Sequence, residues 1–278
     1  MAQNLATKYA DKVAERFSTT SRTKAGTNQD YDWQGTNAVK VYSVDTVTMG
    51  NYTRSGNSRY GNPNELGTTV QTLTLARDRA FTTTIDRRNK DESMGVTEAA
   101  SFLDRQIREV ITPEIDTYVL AAMGTAAATN GNDNIVADAA TTTTNAYDNF
   151  LQINASLTND LVPLTDRVAF MTQAYYNALK RDTTFALASD DMAKTRHTGS
   201  IGQVDGIEVV IVPSTWMPTN TDLIIVHKSA TVAPMVLTDY IVHDNPPGIN
   251  GWLVEGRVVY DAFVLTAKID GIGVHKTA

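Results

Sequence analysis

Four histidines, His197, His227, His243 and His275, are the side chains of this sequence best suited to proton transfer near neutral pH or to holding a metal. They stand singly. No two share a spacing that would gather them on one helix face, and the HExxH pattern of zinc peptidases is missing. Each reads as a structural or surface residue, because a metal site needs several convergent ligands. Thr198-Gly199-Ser200-Ile201-Gly202 matches a nucleophile elbow only in part, since threonine stands where the first glycine is required. Gly199, Gly202 and Gly206 precede no helical pattern and lack a phosphate-gripping lysine, so they read as turn residues. Asp190 and Asp191 are adjacent carboxylates in a polar stretch, the usual pattern of a solvated surface. Asn51-Tyr-Thr and Asn154-Ala-Ser fit the N-glycosylation pattern, but no secretory segment accompanies them. The expectation is a chain with no catalytic residues, no cofactor and no metal.

The totals narrow the choice further. With 278 residues the chain can bury a substantial core in one large domain or two modest ones. It has no cysteine, which excludes disulfides, thiolate nucleophiles and cysteine-held zinc. Its 24 basic and 31 acidic residues give a net charge of −7, which opposes tight, non-specific binding of nucleic acid by the whole surface. No apolar run is long enough to cross a bilayer, and MAQNLATKYADKVAERF alternates charge where a signal peptide would be apolar. A soluble chain that is made and used without export is expected.

The stretch that organises the chain is Val96–Met123. Ala99, Phe102, Leu103, Ile107, Val110, Ile111, Ile115, Tyr118, Val119 and Ala122 recur at helical spacing, with Glu98, Asp104, Arg105, Arg108 and Asp116 between them. This predicts one long amphipathic beam, roughly 40 Å at 1.5 Å per residue. Thr97 and Glu98 suit its start and Gly124 its stop, and Pro113 should bend it or divide it into two abutting helices. Before the beam, Leu5, Tyr9, Val13 and Phe17 recur every four residues and form the packing face of a short N-terminal helix. Residues 18–37 are polar and turn-rich, and read as an extended arm.

Two alternating, β-branched stretches follow, at 38–48 and 70–85, separated by a Gly-, Asn- and Ser-rich stretch at 49–69. They predict a long hairpin with too few large apolar residues to bury itself, which must therefore lean on a partner. DRRNKDE (86–92) is either a solvated charge run or, through Arg87, Arg88, Lys90, Asp91 and Glu92, an ionic clasp to a neighbouring subunit. Beyond the beam, 125–145 is a small-residue linker. A helix through Phe150, Ile153, Leu157 and Leu161, the strand RVAFMT, a helix at 173–185 and the hairpin VDGIEVVIVP then make an α/β lobe. The remainder, from Leu223, is mostly strand, with the NPPGING turn and a bend or bulge near Asp261.

In this order of parts, with DRRNKDES, TEAASFLDRQIREVITPEID, RVAFMTQAYYNALKRD and GSIGQVDGIEVVIVPSTWMP, the whole chain resembles the major capsid proteins of tailed double-stranded-DNA bacteriophages, of the Hong Kong 97-like fold. The resemblance implies an α+β chain divided into an N-terminal arm (1–37), an extension loop (38–88), a peripheral domain with its spine helix (89–123), an axial domain (124–222) and closing strands (223–278). It implies self-assembly through pentamers and hexamers into an icosahedral shell, made in the host cytoplasm and found in the virion. It also implies a portal protein, a separate scaffolding or decoration protein, and weak, non-specific contact with packaged DNA. The loop tip carries Arg54 and Arg59 and no lysine, so the lysine–asparagine cross-link of some family members is not expected. Tyr52, Arg54, Arg59 and Tyr60 are the expected intersubunit anchors, because tyrosine and arginine are favoured in contact hot spots. An encapsulin-type compartment shell is the alternative of similar fold. A hydrolase with a site in the α/β lobe is a remote one, because a fold by itself never excludes a grafted site.

Overall fold

The computed structural model describes residues 21–28, 30–31, 38–63, 65–92, 102, 105–130, 134–138, 140–182 and 202–277. The N-terminal face Leu5/Tyr9/Val13/Phe17, the Thr97–Glu98 start, Asp190/Asp191, and His197 with residues 198–201 lie outside them.

The hairpin forms, but it is shorter than its sequence pattern. β1 (Ala38–Val44) runs antiparallel to β2 (Thr68–Thr74), with Ala38 facing Thr74 and Val44 facing Thr68. The alternating stretch 70–85 is then divided at residues 75–76, and β3 (Arg77–Asp86) leaves the hairpin for another sheet. The Asp261 carboxylate accepts the Ala76 N–H at 2.8 Å, which fastens the crossing point to the body. Alternation encodes which side chains share a face, not which strand they pair with.

A short helix, α1 (Arg87–Glu92), precedes the beam. The beam changes winding at the expected place. Ile107–Ile111 is a π-helical turn in which the Thr112 N–H reaches the Ile107 carbonyl, and α2 (Thr112–Thr129) follows with Pro113 in its first turn. The helix runs on through this turn, and its change of winding is where the proline, which has no N–H to donate to the turn behind it, is accommodated. Gly124 does not end the helix. It is buried within α2, where a Cβ would come 2.8 Å from Pro218, and the alanine-rich turn beyond carries the helix on to Thr129. The wet face is also not where periodicity puts it, because Asp116 is fully buried.

The lobe comprises β4 (Ile135–Asp138), α3 (Ala146–Asn159), β5 (Arg167–Thr172), α4 (Gln173–Arg181), β6 (Gln203–Val204), β7 (Ile207–Val212) and β8 (Thr221–His227). The C-terminal part adds β9 (Thr231–Val232), β10 (Met235–Asp244), β11 (Gly251–Tyr260), β12 (Phe263–Val264) and β13 (Ile272–Thr277). These last strands do more than close an edge. β13 and β8 lie inside a six-stranded mixed sheet of order β4-β13-β8-β5-β7-β6, whereas β10 and β11 join β3 in a separate antiparallel sheet.

Alternate side chains of the six-stranded sheet serve opposite faces. Val168, Phe170, Ile224, Val226, Ile272 and Val274 pack with Val119, Leu120 and Met123 of α2. Ala169, Met171, Leu223 and Ile225 pack with Phe150, Ile153 and Leu157 of α3 and with Tyr175 and Leu179 of α4. The beam and the lobe therefore share one sheet. Leu161 does not continue the apolar stripe of α3: the helix ends at Asn159, and Leu161 is 90% exposed.

Residues 23–26 also depart from expectation, because they belong to the core and not to an extended arm. Thr23–Gly26 forms a 3₁₀ turn. Gly26 sits so close to Phe170 and Val226 that a Cβ would come 2.7 Å from the phenylalanine ring. The Asp116 carboxylate fastens this turn, accepting hydrogen bonds from Ser21 Oγ at 2.8 Å, the Arg22 N–H at 2.8 Å and Thr23 Oγ1 at 2.6 Å. A polar stretch that satisfies a buried carboxylate in this way replaces the water both would otherwise require.

Candidate assembly interface

The surfaces that could meet another chain divide into an anchored base and an uncovered arm. At the base, Leu73 of β2 is buried with Val232 and Leu265, flanked by Val39, Val41, Leu75 and Phe263. The Gln71 side chain adds a polar clamp. Its Nε2 donates to the Val264 carbonyl at 3.0 Å and its Oε1 accepts the Thr266 N–H at 2.9 Å, so one side chain imitates a strand neighbour. The hairpin thus leans first on its own chain.

Beyond Val44 that support ends. Met49 is fully exposed, Tyr60 is 91% exposed, and Val47 and Leu66 are exposed as well. The tip nevertheless has its own order. The Tyr52 and Tyr60 rings meet edge to face at 5.0 Å, the Thr53 N–H donates to the Arg59 carbonyl at 3.0 Å, and Arg59 Nε donates to the Gly56 carbonyl at 3.3 Å. The structure therefore brings Tyr52, Arg59 and Tyr60 together on one small knob, with Arg54 exposed beside them. Aromatic and guanidinium groups held in this way lose little freedom when a partner covers them.

The charged run 86–92 is partly committed within the chain. Arg87 Nη2 lies 3.2 Å from Asn245 Oδ1 and 3.5 Å from Asp244, and its guanidinium carbon is 5.5 Å from the centre of the Trp252 ring. Lys90 Nζ lies 4.5 Å from the same ring centre. The Arg88 N–H donates to Asp86 Oδ1 at 2.9 Å. Asp91 and Glu92 close α1.

Where the hairpin, the beam and the three-stranded sheet converge, two chains of polar contacts lie side by side. Asp261 accepts the Tyr118 hydroxyl at 3.0 Å in addition to the Ala76 N–H. Glu114 Oε1 accepts the Tyr260 hydroxyl at 2.7 Å and Arg79 Nε at 2.9 Å. Arg77 lies over the Tyr118 ring at 4.4 Å. Burial, and then the hydrogen bond to Glu114, push the Tyr260 hydroxyl up to about 12. Periodicity marks Tyr118 as an apolar packing residue, but pairwise links between 114 and 260 or 118 and 261 leave no local signal in the sequence.

Three of the histidines lie among the described residues, and each has a partner within its own chain. His275 is fully buried, with Nδ1 2.5 Å from Asp222 Oδ1 and Nε2 3.0 Å from the Asn149 amide. This carboxylate–imidazole pair has an amide where a hydrolase would need a hydroxyl nucleophile. His227 Nδ1 is 2.9 Å from Ser229 Oγ, and burial pulls the ring below its ordinary value. His243 forms an exposed 3.2 Å pair with Glu255. Among the described residues no group of three or more His, Cys, Asp or Glu side chains could hold a metal. The half-buried Asn154 side chain accepts from Arg167 Nη1, a structural use of one of the two Asn-X-Ser/Thr matches set aside above.

No protein-family model and no curated protein matches this sequence. Solved structures do match, over nearly the whole chain. A chain of Mycobacterium phage Che8 is 18% identical, with a TM-score of 0.76 and 99% of this chain aligned to 98% of that one. In the capsid structure of the cyanophage P-SCSP1u the matching chain is 14% identical, with a TM-score of 0.74, covering 99% of this chain and 93% of its own. In the mature capsid of bacteriophage PhiM1 the values are 12% and 0.72, with 98% and 92% covered. At such identities the likeness establishes the fold, a mixed helix-and-sheet fold found in phage capsids.

Proposed function

We propose that this chain is a major capsid protein of the Hong Kong 97-like fold, assembling through pentamers and hexamers into the icosahedral shell of a double-stranded-DNA phage virion. The observation that carries this reading is the likeness over 98–99% of this chain to chains of phage capsid structures. In this reading the hairpin of β1 and β2 is the extension loop, the beam containing α2 is the spine of the peripheral domain, and the lobe around β5 is the axial domain. Arg54, Arg59, Tyr52 and Tyr60 meet a neighbouring copy, and the exposed part of the 86–92 run adds ionic contacts. A portal and a separate scaffolding or decoration protein complete the assembly. An acid-leaning chain touches packaged DNA weakly, which suits a genome that must later leave. The match to the capsid of a native GTA particle as well as to phage capsids supports a virion-type shell over a cellular compartment shell.

The test is negative-stain electron microscopy with mass photometry on the purified chain, expressed with and without its genomic neighbours. Rings or closed shells are expected; a monodisperse monomer under every condition would defeat the proposal. Arg54→Glu combined with Arg59→Glu should leave the unassembled chain folded and reduce its assembly by at least tenfold, read as the oligomeric fraction at fixed concentration.

A further inference from the structure

Helix α3 ends in a Schellman motif. The Leu161 N–H donates to the Thr158 carbonyl at 3.1 Å and the Val162 N–H to the Leu157 carbonyl at 3.0 Å, and Val162 packs on the cluster that contains Leu157. The left-handed position of this motif, at φ 60°, is occupied by leucine. Glycine is the usual residue there because any Cβ is crowded in that conformation. Leu161 is also 90% exposed, and Leu164 three residues on is 65% exposed. Two costs therefore fall on one residue, a strained backbone and an apolar side chain in water, and neither contributes to the fold of the lobe.

The platform beneath these leucines is rigid. Arg167 is buried and donates from Nε to the Pro163 carbonyl at 2.8 Å, from Nη2 to the Val162 carbonyl at 2.6 Å, and from Nη1 to the Asn154 carbonyl at 3.2 Å. Asp166, at the far end of the loop, takes part through its carbonyl, which accepts the Lys228 N–H at 3.0 Å. The loop is thus held in place from within while its two leucines point away from the core. A displayed apolar pair on a fixed platform is pre-organised for contact.

From this we infer that the Leu161–Leu164 loop is a contact surface for a second copy of this chain, an inference that rests on the assembly reading above. The chain itself supplies complementary chemistry. The loop sets two leucines beside Asp160, with Asp166 paired to Lys228 at 3.9 Å, whereas the hairpin tip sets Tyr52 and Tyr60 beside Arg54 and Arg59. Unlike surfaces on one chain are what a head-to-tail contact between identical copies requires. Leucine persists in the left-handed position because its contact in the assembly outweighs its cost in the free chain.

The deciding experiment compares the full-length chain with Leu161→Gly, Leu161→Asn and Leu161→Met. Glycine and asparagine fit the left-handed position, so the melting temperature of the unassembled chain should rise by about 1–3 °C. The assembled fraction by mass photometry should fall at least tenfold at the concentration where the original chain is half assembled. Leu161→Met keeps an apolar side chain and should assemble like the original. Opposite signs for stability and assembly separate a contact residue from one needed for folding. Original-level assembly by the glycine variant, whether the partner of this loop is another protein or solvent, overturns the inference. If the original chain forms rings but no closed shells, a loss of rings on glycine substitution still supports it. An original chain that is monomeric at every concentration overturns both this inference and the assembly reading.

Discussion

The lobe and the hairpin use the same alternating grammar and put it to opposite ends. In β5 every one of six residues is buried, and both faces of the strand are covered by helices of the same chain. In β1 the burial alternates between exposed and half-buried along all seven residues, and only the root of the ribbon touches a core. A fully buried sheet stabilises the chain that contains it. A half-covered ribbon instead exposes surface whose stabilisation depends on another molecule. The contrast locates where the chain stops supporting its own ribbon, at about Val44 and Thr68, and where the proposed assembly surface begins.

That boundary can be broken from its strongest side first. Phe170→Ala removes a fully buried ring at the junction of the sheet, α2 and the Gly26 turn, and should destabilise the chain by about 3–5 kcal/mol, read by thermal or urea unfolding. Asp116→Ala leaves Ser21, Thr23 and the Arg22 N–H without their shared acceptor, and a loss of about 3 kcal/mol is expected in the same measurement. The mildest change sharpens the contrast. Gln71→Ala should cost only about 1 kcal/mol in global unfolding, yet it should speed hydrogen exchange at Thr266 and loosen the base of the ribbon. A Gln71 variant that unfolds as readily as the Phe170 variant would show that the ribbon is part of the core after all.

What the sequence made legible follows from what is local. The apolar phases of α3 and β5, the Asp-Gly turn at 205–206 and the interruption at Asp261 rest on neighbouring residues and can be read directly. The Asp116 hook could not be read, because an acidic residue at helical phase looks solvated until its three donors arrive from 93 to 95 positions away. The division at residues 75–76 was hidden for a similar reason: β-branched alternation continues across it while the pairing partner changes. Leu161 was misplaced because a four-residue rhythm predicts continuation, whereas the helix stops two residues earlier. Of the expected contact residues, Tyr52, Arg59 and Tyr60 proved to be neighbours in space, and Arg87 proved to be engaged with its own Asp244 and Trp252.

The Gln71 clamp has a consequence for angular tolerance. Gln71 faces Val41 midway along the ribbon, and the strand runs on for about 10 Å from it to Thr68. A swing of about 5° about that point displaces the end of the paired ribbon by about 1 Å, roughly a quarter of a side-chain contact distance. The two hydrogen bonds of one glutamine thus act as the bearing of a lever, and in the proposed shell the play they permit would limit how many different curvatures neighbouring chains can follow.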